Sequence, residues 1–158
     1  MYKRQAATEA GVARVAFERE GEDAVLQTLA DRIGPRILRT PKRLDDAARW
    51  FDAYFAGAAD PFRLPLDTRL ARGFRLEVLG RLQQVPYGER VSYAALAART
   101  SSPKAVRAVG TACATNPLPL VIPCHRVTRS DGSVGAYLGG PDVKVRLLAL
   151  EAAGALPS

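Results

Sequence analysis

The chain has 158 residues, of which 47% are hydrophobic and 25% charged, and its formal net charge is +7. This length suits one domain or two small ones, and the lack of any apolar run near the roughly 20 residues of a bilayer span excludes a membrane-spanning helix. A positive net charge favours polyanionic partners such as nucleic acid. A basic protein with no such partner can have the same net charge, so the charge alone does not identify a partner.

Residues 1–66 predict a small mixed α/β domain. The alternation in "GVARVAFERE" predicts a strand, and "EDAVLQTLADRI" predicts a short amphipathic helix. A second, stronger helix is predicted over residues 40–57, with Thr40 as its cap. The proline-rich stretch at residues 58–70 predicts a linker to a second domain over residues 67–158. The opening residues contain no apolar stretch, so we expect no secretory signal.

The second domain begins with a predicted helix, "FRLEVLGRLQQV", followed by two short helices that lie close together. These are "SYAALAART" and "SPKAVRAVGTACAT", which begin at the good N-cap residues Ser92 and Ser102. Their tight connection fits a helix-turn-helix, and it also fits any packed pair of helices. The second helix is thin, with Lys104 and Arg107 as its only long cationic side chains. A thin helix suits a narrow groove, or tight packing against a neighbouring helix with Arg107 solvated.

The segment "NPLPLVIPCHRV" predicts an apolar strand that ends at Cys124 and His125. Thiolate is the nucleophilic form of cysteine, and an imidazole can take its proton. Neighbouring side chains of a strand point to opposite faces, so this pair needs a turn or a bridging water. Glu151 is one candidate to orient the imidazole, and the residues alone do not rank it above its neighbours. The alternative is a buried, inert cysteine beside a chance histidine.

The remaining elements are a hairpin, a loop and a helix. "RVTRSDGSV" predicts a hairpin closed at Asp131-Gly132, "GAYLGG" a glycine-rich loop and "PDVKVRLLALEAAG" the last helix. Two cysteines and one histidine are too few for a disulfide scaffold or the usual four-ligand zinc site. A reduced, cytosolic setting fits best, and Cys113 is interpreted as a packing residue.

The string "IPCHRV" resembles the active-site signature of the O6-alkylguanine-DNA alkyltransferases, also called methylated-DNA–protein-cysteine methyltransferases. "VPYGERVSYAALA", "SPKAVRAVGTACATNPLPLVIPCHRV" and "DGSVGAYLGGPDVKVRLLALE" match that family's order and spacing. The resemblance implies an RNase H-like N-terminal α/β domain and a mainly helical C-terminal domain with a helix-turn-helix. The family's N-terminal domain opens with a strand hairpin, and "MYKRQAAT" leaves little room for its first strand. We therefore expect a truncated N-terminal domain.

The same resemblance implies an activity: repair of DNA by direct reversal. The alkyl group of O6-alkylguanine, and of O4-alkylthymine, in double-stranded DNA passes to Cys124 after minor-groove binding and base flipping. The protein acts once, without cofactor or metal. It is expected to be a monomer of the bacterial cytosol and nucleoid.

Five residues receive catalytic roles from the resemblance. Cys124 is the nucleophile, His125 is the base through a water molecule, and Glu151 orients His125. Asn116 holds the turn between the DNA-binding helix and the active-site strand. Tyr93 rotates the target phosphate and offers its hydroxyl to the guanine.

Arg107 is implied to enter the base stack and fill the space of the flipped nucleotide. The other implied DNA contacts are Tyr93, Ser92, Lys104, Ala105, Gly110 and Thr111. The implied pocket residues are Tyr137, Leu138, Gly139, Val127 and Pro123. At Leu138 many relatives carry a small or polar residue. We expect leucine to keep the backbone N–H donor and to narrow the pocket toward small alkyl groups.

Two rival functions are weighed against alkyl transfer. A non-enzymatic binder of alkylated DNA, as in the alkyltransferase-like proteins, has another residue in place of the cysteine, and Cys124 argues against it. A thiol hydrolase that uses Cys124 and His125 turns over repeatedly and has no need of Arg107 or a basic face.

Overall fold

The computed structural model describes residues 2–8, 10–33 and 41–154, and its fold is mixed α/β, as predicted. The N-terminal elements are β1 (Tyr2–Thr8), β2 (Gly11–Phe17), α1 (Glu22–Arg32) and α2 (Pro41–Phe55). The later elements are α3 (Gly73–Leu82), β3 (Val91–Ser92), α4 (Tyr93–Ala98), α5 (Val106–Ala114), β4 (Val127–Thr128) and α6 (Pro141–Gly154). Among the described residues, no helix is long and apolar enough to span a lipid bilayer.

The chain opens with an antiparallel hairpin. β1 pairs with β2 from Tyr2 opposite Phe17 to Thr8 opposite Gly11. The expectation that the opening segment is too short for the first strand is wrong, because β1 spans seven residues and pairs with β2 from Tyr2 to Thr8. The predicted strand and the helices α1 to α3 are confirmed. The predicted cap of α2, Thr40, lies outside the described residues.

The predicted linker, residues 58–70, contains no helix and lies along β2. Val12 N donates to Pro65 O at 2.9 Å, and Asp67 N donates to Val12 O at 2.8 Å. Glycine is required at position 11, since a Cβ atom there would lie 2.2 Å from the Pro65 carbonyl oxygen. The linker therefore extends the hairpin, and a domain boundary at residues 66 and 67 stays a prediction.

A single hydrophobic cluster joins the N-terminal elements to the rest of the described chain. Ala47, Phe51 and Tyr54 of α2 are buried in it, and the cluster continues through α3 and α4 to the segment that carries Cys124. Its members include Val12, Val15, Ala47, Phe51, Tyr54, Val78, Leu82, Leu96, Val109, Ile122 and Cys124. The cysteine is thus anchored by side chains from both predicted domains.

The helix α5 begins three residues later than predicted, with Ala105 as its N-cap instead of Ser102. Ser102 is not its N-cap: the Ser102 carbonyl accepts a hydrogen bond from Ala105 N at 2.9 Å and closes a turn. Pro103 suits such a turn because its φ angle is fixed. Glu77 of α3 supports the connection, since its carboxylate accepts bonds from Ser101 N and Oγ, both at 2.6 Å.

Two strand predictions near the cysteine are wrong. The segment 116–123 is irregular, because its three prolines lack the N–H groups that a central strand needs. The predicted hairpin at Asp131-Gly132 forms only its turn, with Arg129 N donating to Ser133 O at 2.9 Å. β4 pairs in parallel with β3 instead, with Val127 opposite Val91.

Candidate active site

Cys124 and His125 lie in one turn of 3-10 helix, Cys124–Arg126. Arg126 N donates to Pro123 O at 3.0 Å, and the turn is buried, with Cys124 2% and His125 0% exposed. Successive residues of a 3-10 helix are about 120° apart around its axis, rather than on opposite faces as in a strand. The turn therefore removes the geometric objection to a sulfur and an imidazole on adjacent residues.

Asn116 closes the irregular segment that leads to Cys124. Its Nδ2 donates to Ile122 O at 2.9 Å, and its Oδ1 accepts from Leu118 N at 2.9 Å. The side chain is 1% exposed, so both bonds form away from water. The residue thus holds the end of α5 to the turn that carries the cysteine, although that connection is not the predicted strand.

The structure brings Glu151 of α6 to His125, with 2.6 Å between Glu151 Oε1 and His125 Nε2. Glu151 Oε1 also accepts from the Tyr54 hydroxyl of α2 at 2.7 Å. Arg126 Nε and Nη2 donate to the carboxylate, each at 2.9 Å, and Gly88 N donates at 3.3 Å. The carboxylate is 1% exposed. Four residues from three parts of the chain contact this carboxylate, so its position is fixed.

The electrostatics of this network favour a neutral imidazole beside a carboxylate. Burial opposes the charged form of Glu151, but hydrogen bonds from His125 and Arg126 lower its pKa to about 2. Burial lowers the pKa of His125 more than the neighbouring Glu151 raises it. A neutral imidazole that donates from Nε2 to Glu151 leaves Nδ1 as its acceptor. Nδ1 is buried, with no hydrogen-bond partner among the described residues.

Cys124 opens onto a cavity of about 260 Å³. Typical sites for drug-sized ligands measure roughly 300–1,000 Å³, so the cavity is smaller than such a site and has room for a group the size of a single base. Burial raises the pKa of the Cys124 thiol to about 11, against the opposite influence of Asn116 and Lys144. At neutral pH the sulfur is protonated and needs a base. The lining residues are Tyr93, Val106, Gly110, Cys113, Ala114, Cys124, Arg129, Gly135, Ala136 and Tyr137.

The predicted pocket residues divide into two groups. Tyr137 lines the cavity, and its buried hydroxyl has no partner among the described residues. The described lining does not include Leu138, Gly139, Val127 or Pro123. Gly139 lies against another element: a Cβ atom there would be 3.0 Å from the ring of Phe17. The role expected for Leu138 stays a prediction.

Two side chains at this site have no place in the sequence-based prediction. Tyr54 lies in the apolar stripe of α2, where nothing distinguishes a tyrosine that binds a carboxylate from one that only packs. Lys144 of α6 is 0% exposed, and its Nζ lies 3.4 Å from the Tyr93 hydroxyl and 5.6 Å from the Tyr93 ring centre. The sequence of α6 does not indicate that Lys144 is buried, since a lysine in an amphipathic helix usually faces solvent.

The cationic residues expected to contact DNA, Lys104 and Arg107, are both exposed. Ser92 caps α4, with its Oγ accepting from Ala95 N at 3.0 Å. A Cβ atom at Gly110 would meet nothing within 4 Å, so packing inside the molecule does not require glycine there. Ala108, Thr111 and Ala114 are also exposed. The small residues of α5 therefore leave an open face, which favours approach to another molecule over packing against a neighbouring helix.

Fold and site together define a mixed α/β protein with a buried cysteine at a base-sized cavity, beside a His–Glu pair and an open helix of small residues. Residues 73–153 match the family described as "6-O-methylguanine DNA methyltransferase, DNA binding domain". The chain belongs to this family.

Named relatives agree with the family match. The chain is 45% identical over 118 residues to the methylated-DNA–protein-cysteine methyltransferase of Mus musculus, which covers 70% of this chain and 56% of that protein. It is 43% identical to the protein of that name from Mycolicibacterium paratuberculosis, over 70% of this chain and 67% of that one. The chain thus spans just over half the length of the mouse relative.

The likeness extends to solved structures. The crystal structure of Mycobacterium tuberculosis OGT in complex with DNA superposes with a TM-score of 0.77 and 31% identity. The match covers 96% of this chain and 86% of that one. It therefore includes the N-terminal elements as well as the region around Cys124.

Proposed function

We propose that this protein repairs O6-alkylguanine in double-stranded DNA by a single transfer of the alkyl group to Cys124. The observation that carries the proposal is the buried thiol at a base-sized cavity, beside the His125–Glu151 pair, in a chain of this family. A target atom inside a duplex is out of reach of a buried sulfur, so the base has to leave the stack first.

The transfer is a displacement at the alkyl carbon. A sulfur–carbon bond forms as the bond from that carbon to O6 breaks, and the electron pair of the broken bond stays on the guanine. The thiol gives up one proton and the guanine takes up one, so the products are S-alkylcysteine and guanine, with no redox change. A thioether has no ready route back to a thiol, and each molecule acts once.

His125 supplies the base that the protonated thiol needs. Glu151 accepts from Nε2 and so holds the tautomer in which Nδ1 can take a proton. A water molecule between the Cys124 sulfur and Nδ1 would relay the proton, which fits the buried position and free lone pair of Nδ1. The carboxylate stabilises the imidazolium that results.

Negative charge develops on O6 as its bond to carbon breaks, and it needs donors placed in advance. The Tyr93 hydroxyl lines the cavity and is one such donor. Burial raises its pKa to about 12, so it stays protonated at neutral pH and can donate. Backbone N–H groups of the loop 135–140 are the second source of donors, and Tyr137 lines the wall beside them.

DNA would bind through α4 and α5 acting as a helix-turn-helix, with α5 in the minor groove. The open face around Gly110 supports this, because small side chains allow a helix to approach a narrow groove. Arg107 is exposed and would enter the base stack, and Lys104 and Thr111 are exposed as well. Ser92 and Ala105 lie at the starts of the two helices and complete the proposed contacts.

The proposal includes the finer features implied by the family resemblance. O4-alkylthymine is a second substrate, because it also carries an alkyl group on an exocyclic oxygen of a base in the duplex. The N-terminal part, residues 1–66, is an RNase H-like domain, and the protein works as a monomer on nucleoid DNA in the cytosol. Two free cysteines are consistent with a reduced compartment.

The stoichiometry of transfer tests this function. We expect a duplex containing radiolabelled O6-methylguanine to transfer one methyl group per protein molecule and then no more, even with duplex in excess. Continued turnover would indicate the hydrolase. Duplex binding without any transfer would indicate a non-enzymatic binder. Either result contradicts the proposal.

The flipping role of Arg107 has a separate test. Arg107→Ala should slow transfer from the duplex by tenfold or more, but should leave the reaction with free O6-benzylguanine nearly unchanged, because the free base needs no extrusion. Second-order rate constants for both substrates supply the comparison. An equal loss of rate with the duplex and with free O6-benzylguanine would contradict a role of Arg107 in base flipping.

A further inference from the structure

We propose that Lys144 is a positioning residue of this site: its buried ammonium is the counter-ion of the Cys124 thiolate and polarises the Tyr93 hydroxyl. This deepens the proposed function, since it takes Cys124 as the acceptor. The lysine is fully buried, at 0% exposure, and is the fourth residue of α6. Lysine is almost never fully buried unless it is paired.

The described residues offer Lys144 no carboxylate. None of the ion pairs found among them includes it. The acidic groups that face it come from three other elements: the thiols of Cys124 and Cys113 and the phenol of Tyr93. Arg129 is the cation whose charge acts on it. The partner of this buried ammonium is therefore a thiol or a phenol.

Charge compensation gives the lysine a function at the moment of reaction. Burial lowers the pKa of Lys144, while negative charge on Cys124 or Cys113 raises it. A buried ammonium without a counter-charge is unfavourable, and a neighbouring thiolate removes that cost. The lysine thus favours the thiolate in a cavity where burial alone raises the pKa of the thiol.

The same ammonium acts on the leaving oxygen through Tyr93. Lys144 Nζ donates to the Tyr93 oxygen at 3.4 Å, so the tyrosine's own proton is directed elsewhere. A hydroxyl that accepts from a cation is a stronger donor, because successive hydrogen bonds polarise one another. One cation thereby supports both the Cys124 thiolate and the Tyr93 hydroxyl, which donates to the oxygen that gains negative charge.

The test follows the alkylation of Cys124 by iodoacetamide as a function of pH. The Cys124 peptide is quantified by mass spectrometry, so that Cys113 does not contribute. We expect Lys144→Met to shift the pH–rate midpoint upward and to slow the reaction at pH 7.5 by roughly tenfold for each unit of pKa increase. Arg146→Met removes the same charge from the exposed face of α6 and should leave the profile unchanged. An unchanged profile in folded Lys144→Met overturns the proposal.

A second variant covers the case in which Lys144→Met does not fold. Lys144→Gln keeps a donor for Tyr93 but carries no charge, and it should show the same upward shift; a wild-type midpoint in this variant also overturns the proposal. Because iodoacetamide needs neither DNA nor a base pocket, this result is independent of the proposed repair function. A shifted midpoint in a protein that takes no alkyl group from O6-benzylguanine would support the role of Lys144 and refute the repair function.

Discussion

The carboxylate of Glu151 joins distant parts of the chain at the back of the site. It accepts from Tyr54 of α2, from Arg126 of the cysteine turn and from the backbone of Gly88, and it contacts His125. Tyr54 and His125 are buried, and Gly88 and Arg126 are partly buried. A charge in this position stabilises the fold only while its partners are present.

Glu151→Gln should therefore lower the stability of the protein as well as impair its activity. We expect the free energy of unfolding at pH 7 to fall by roughly 3–5 kcal/mol, the usual cost of removing one partner from a buried ion pair. Urea unfolding measures the loss. Glu77→Gln is a matched control, because Glu77 is a carboxylate near solvent with its own hydrogen bonds to Ser101. Equal losses in the two variants would contradict the central position of Glu151.

The same network sets the dependence of stability on pH. The pKa of Glu151 is lowered to about 2 in the folded protein, from 4.5, and the pKa of His125 is lowered from 6.5. Each group adds stability above its unfolded pKa, and that stability is lost as pH falls toward its folded pKa. Stability should thus decrease below about pH 6.5 and further below pH 4.5. Midpoints of urea unfolding measured across this pH range should show a smaller loss of stability below pH 4.5 in Glu151→Gln than in the wild type. A loss of wild-type size in the variant would contradict the assignment of this step to Glu151.

The sequence identifies some of these residues and cannot identify others. Cys124 and His125 stand out because a thiol and the only histidine end an apolar run. Glu151 is one of several candidates from the residues alone, and only the family resemblance singles it out. Tyr54 and Lys144 follow ordinary helical patterns, and their contacts come from chain segments dozens of residues away. Their roles depend on tertiary packing, which a local pattern does not contain.

At the scale of elements, α5 combines a buried face with an open one. Val109 and Cys113 pack inward, while Gly110 and Ala114 line the cavity and Ala108 faces solvent. Glycine in a helix interior costs about 1 kcal/mol relative to alanine. Since no neighbouring atom requires glycine at position 110, a glycine there is consistent with close approach to an external partner.

Gly110→Leu should separate stability from binding. We expect an unchanged or slightly higher free energy of unfolding, because leucine is a better helix former and the position is open. Affinity for a short duplex should fall by tenfold or more, since the side chain would stand between α5 and the groove. Fluorescence anisotropy at one fixed salt concentration measures this affinity for the duplex. Ala152→Leu, at an exposed position of α6, is the control; an equal loss there would contradict the assigned face.

The segment before Cys124 shows where element prediction fails. Its apolar residues are typical of a buried strand, and they are indeed buried. However, Pro117, Pro119 and Pro123 cannot donate to a ladder, and Asn116 closes the segment on itself instead. The burial was therefore predictable from composition, while the conformation depended on the positions of the prolines.

At the scale of the whole molecule, the N-terminal hairpin reaches the site. Val15 N donates to Pro117 O at 2.9 Å, which ties β2 to the segment before Cys124. The ring of Phe17 contacts Tyr137 edge-on, with 5.5 Å between ring centres, and it lies against Gly139. The hairpin thus supports the loop at the cavity, and the two parts of the chain act as one structure.

Phe17→Ala should therefore affect the reaction from outside the site. Loss of the ring costs about 3–5 kcal/mol of stability and frees the loop at Tyr137. We expect a several-fold slower reaction with O6-benzylguanine at a temperature where the variant remains folded. Leu29→Ala, at a buried position of α1, carries a comparable stability cost of about 2–5 kcal/mol without touching the loop. Equal slowing in both variants would show a stability effect alone.

The overall organisation was partly accessible from the sequence. Helices α1, α2 and α3 follow from their apolar periodicity and end signals. The parallel pairing of β3 with β4 was not predicted, since each strand has two residues and the pairing joins segments far apart in the chain. The same holds for the contact between the hairpin and the loop at Tyr137, which no local pattern encodes.

Peptide mapping after reaction with O6-benzylguanine tests the central claim most directly. The account predicts one benzyl group per molecule, located on the peptide that contains Cys124, with Cys113 unmodified. Cys124→Ala should bind duplex DNA and accept no benzyl group. A Cys124 peptide that stays unmodified, in a protein that is folded and binds duplex, would contradict the account.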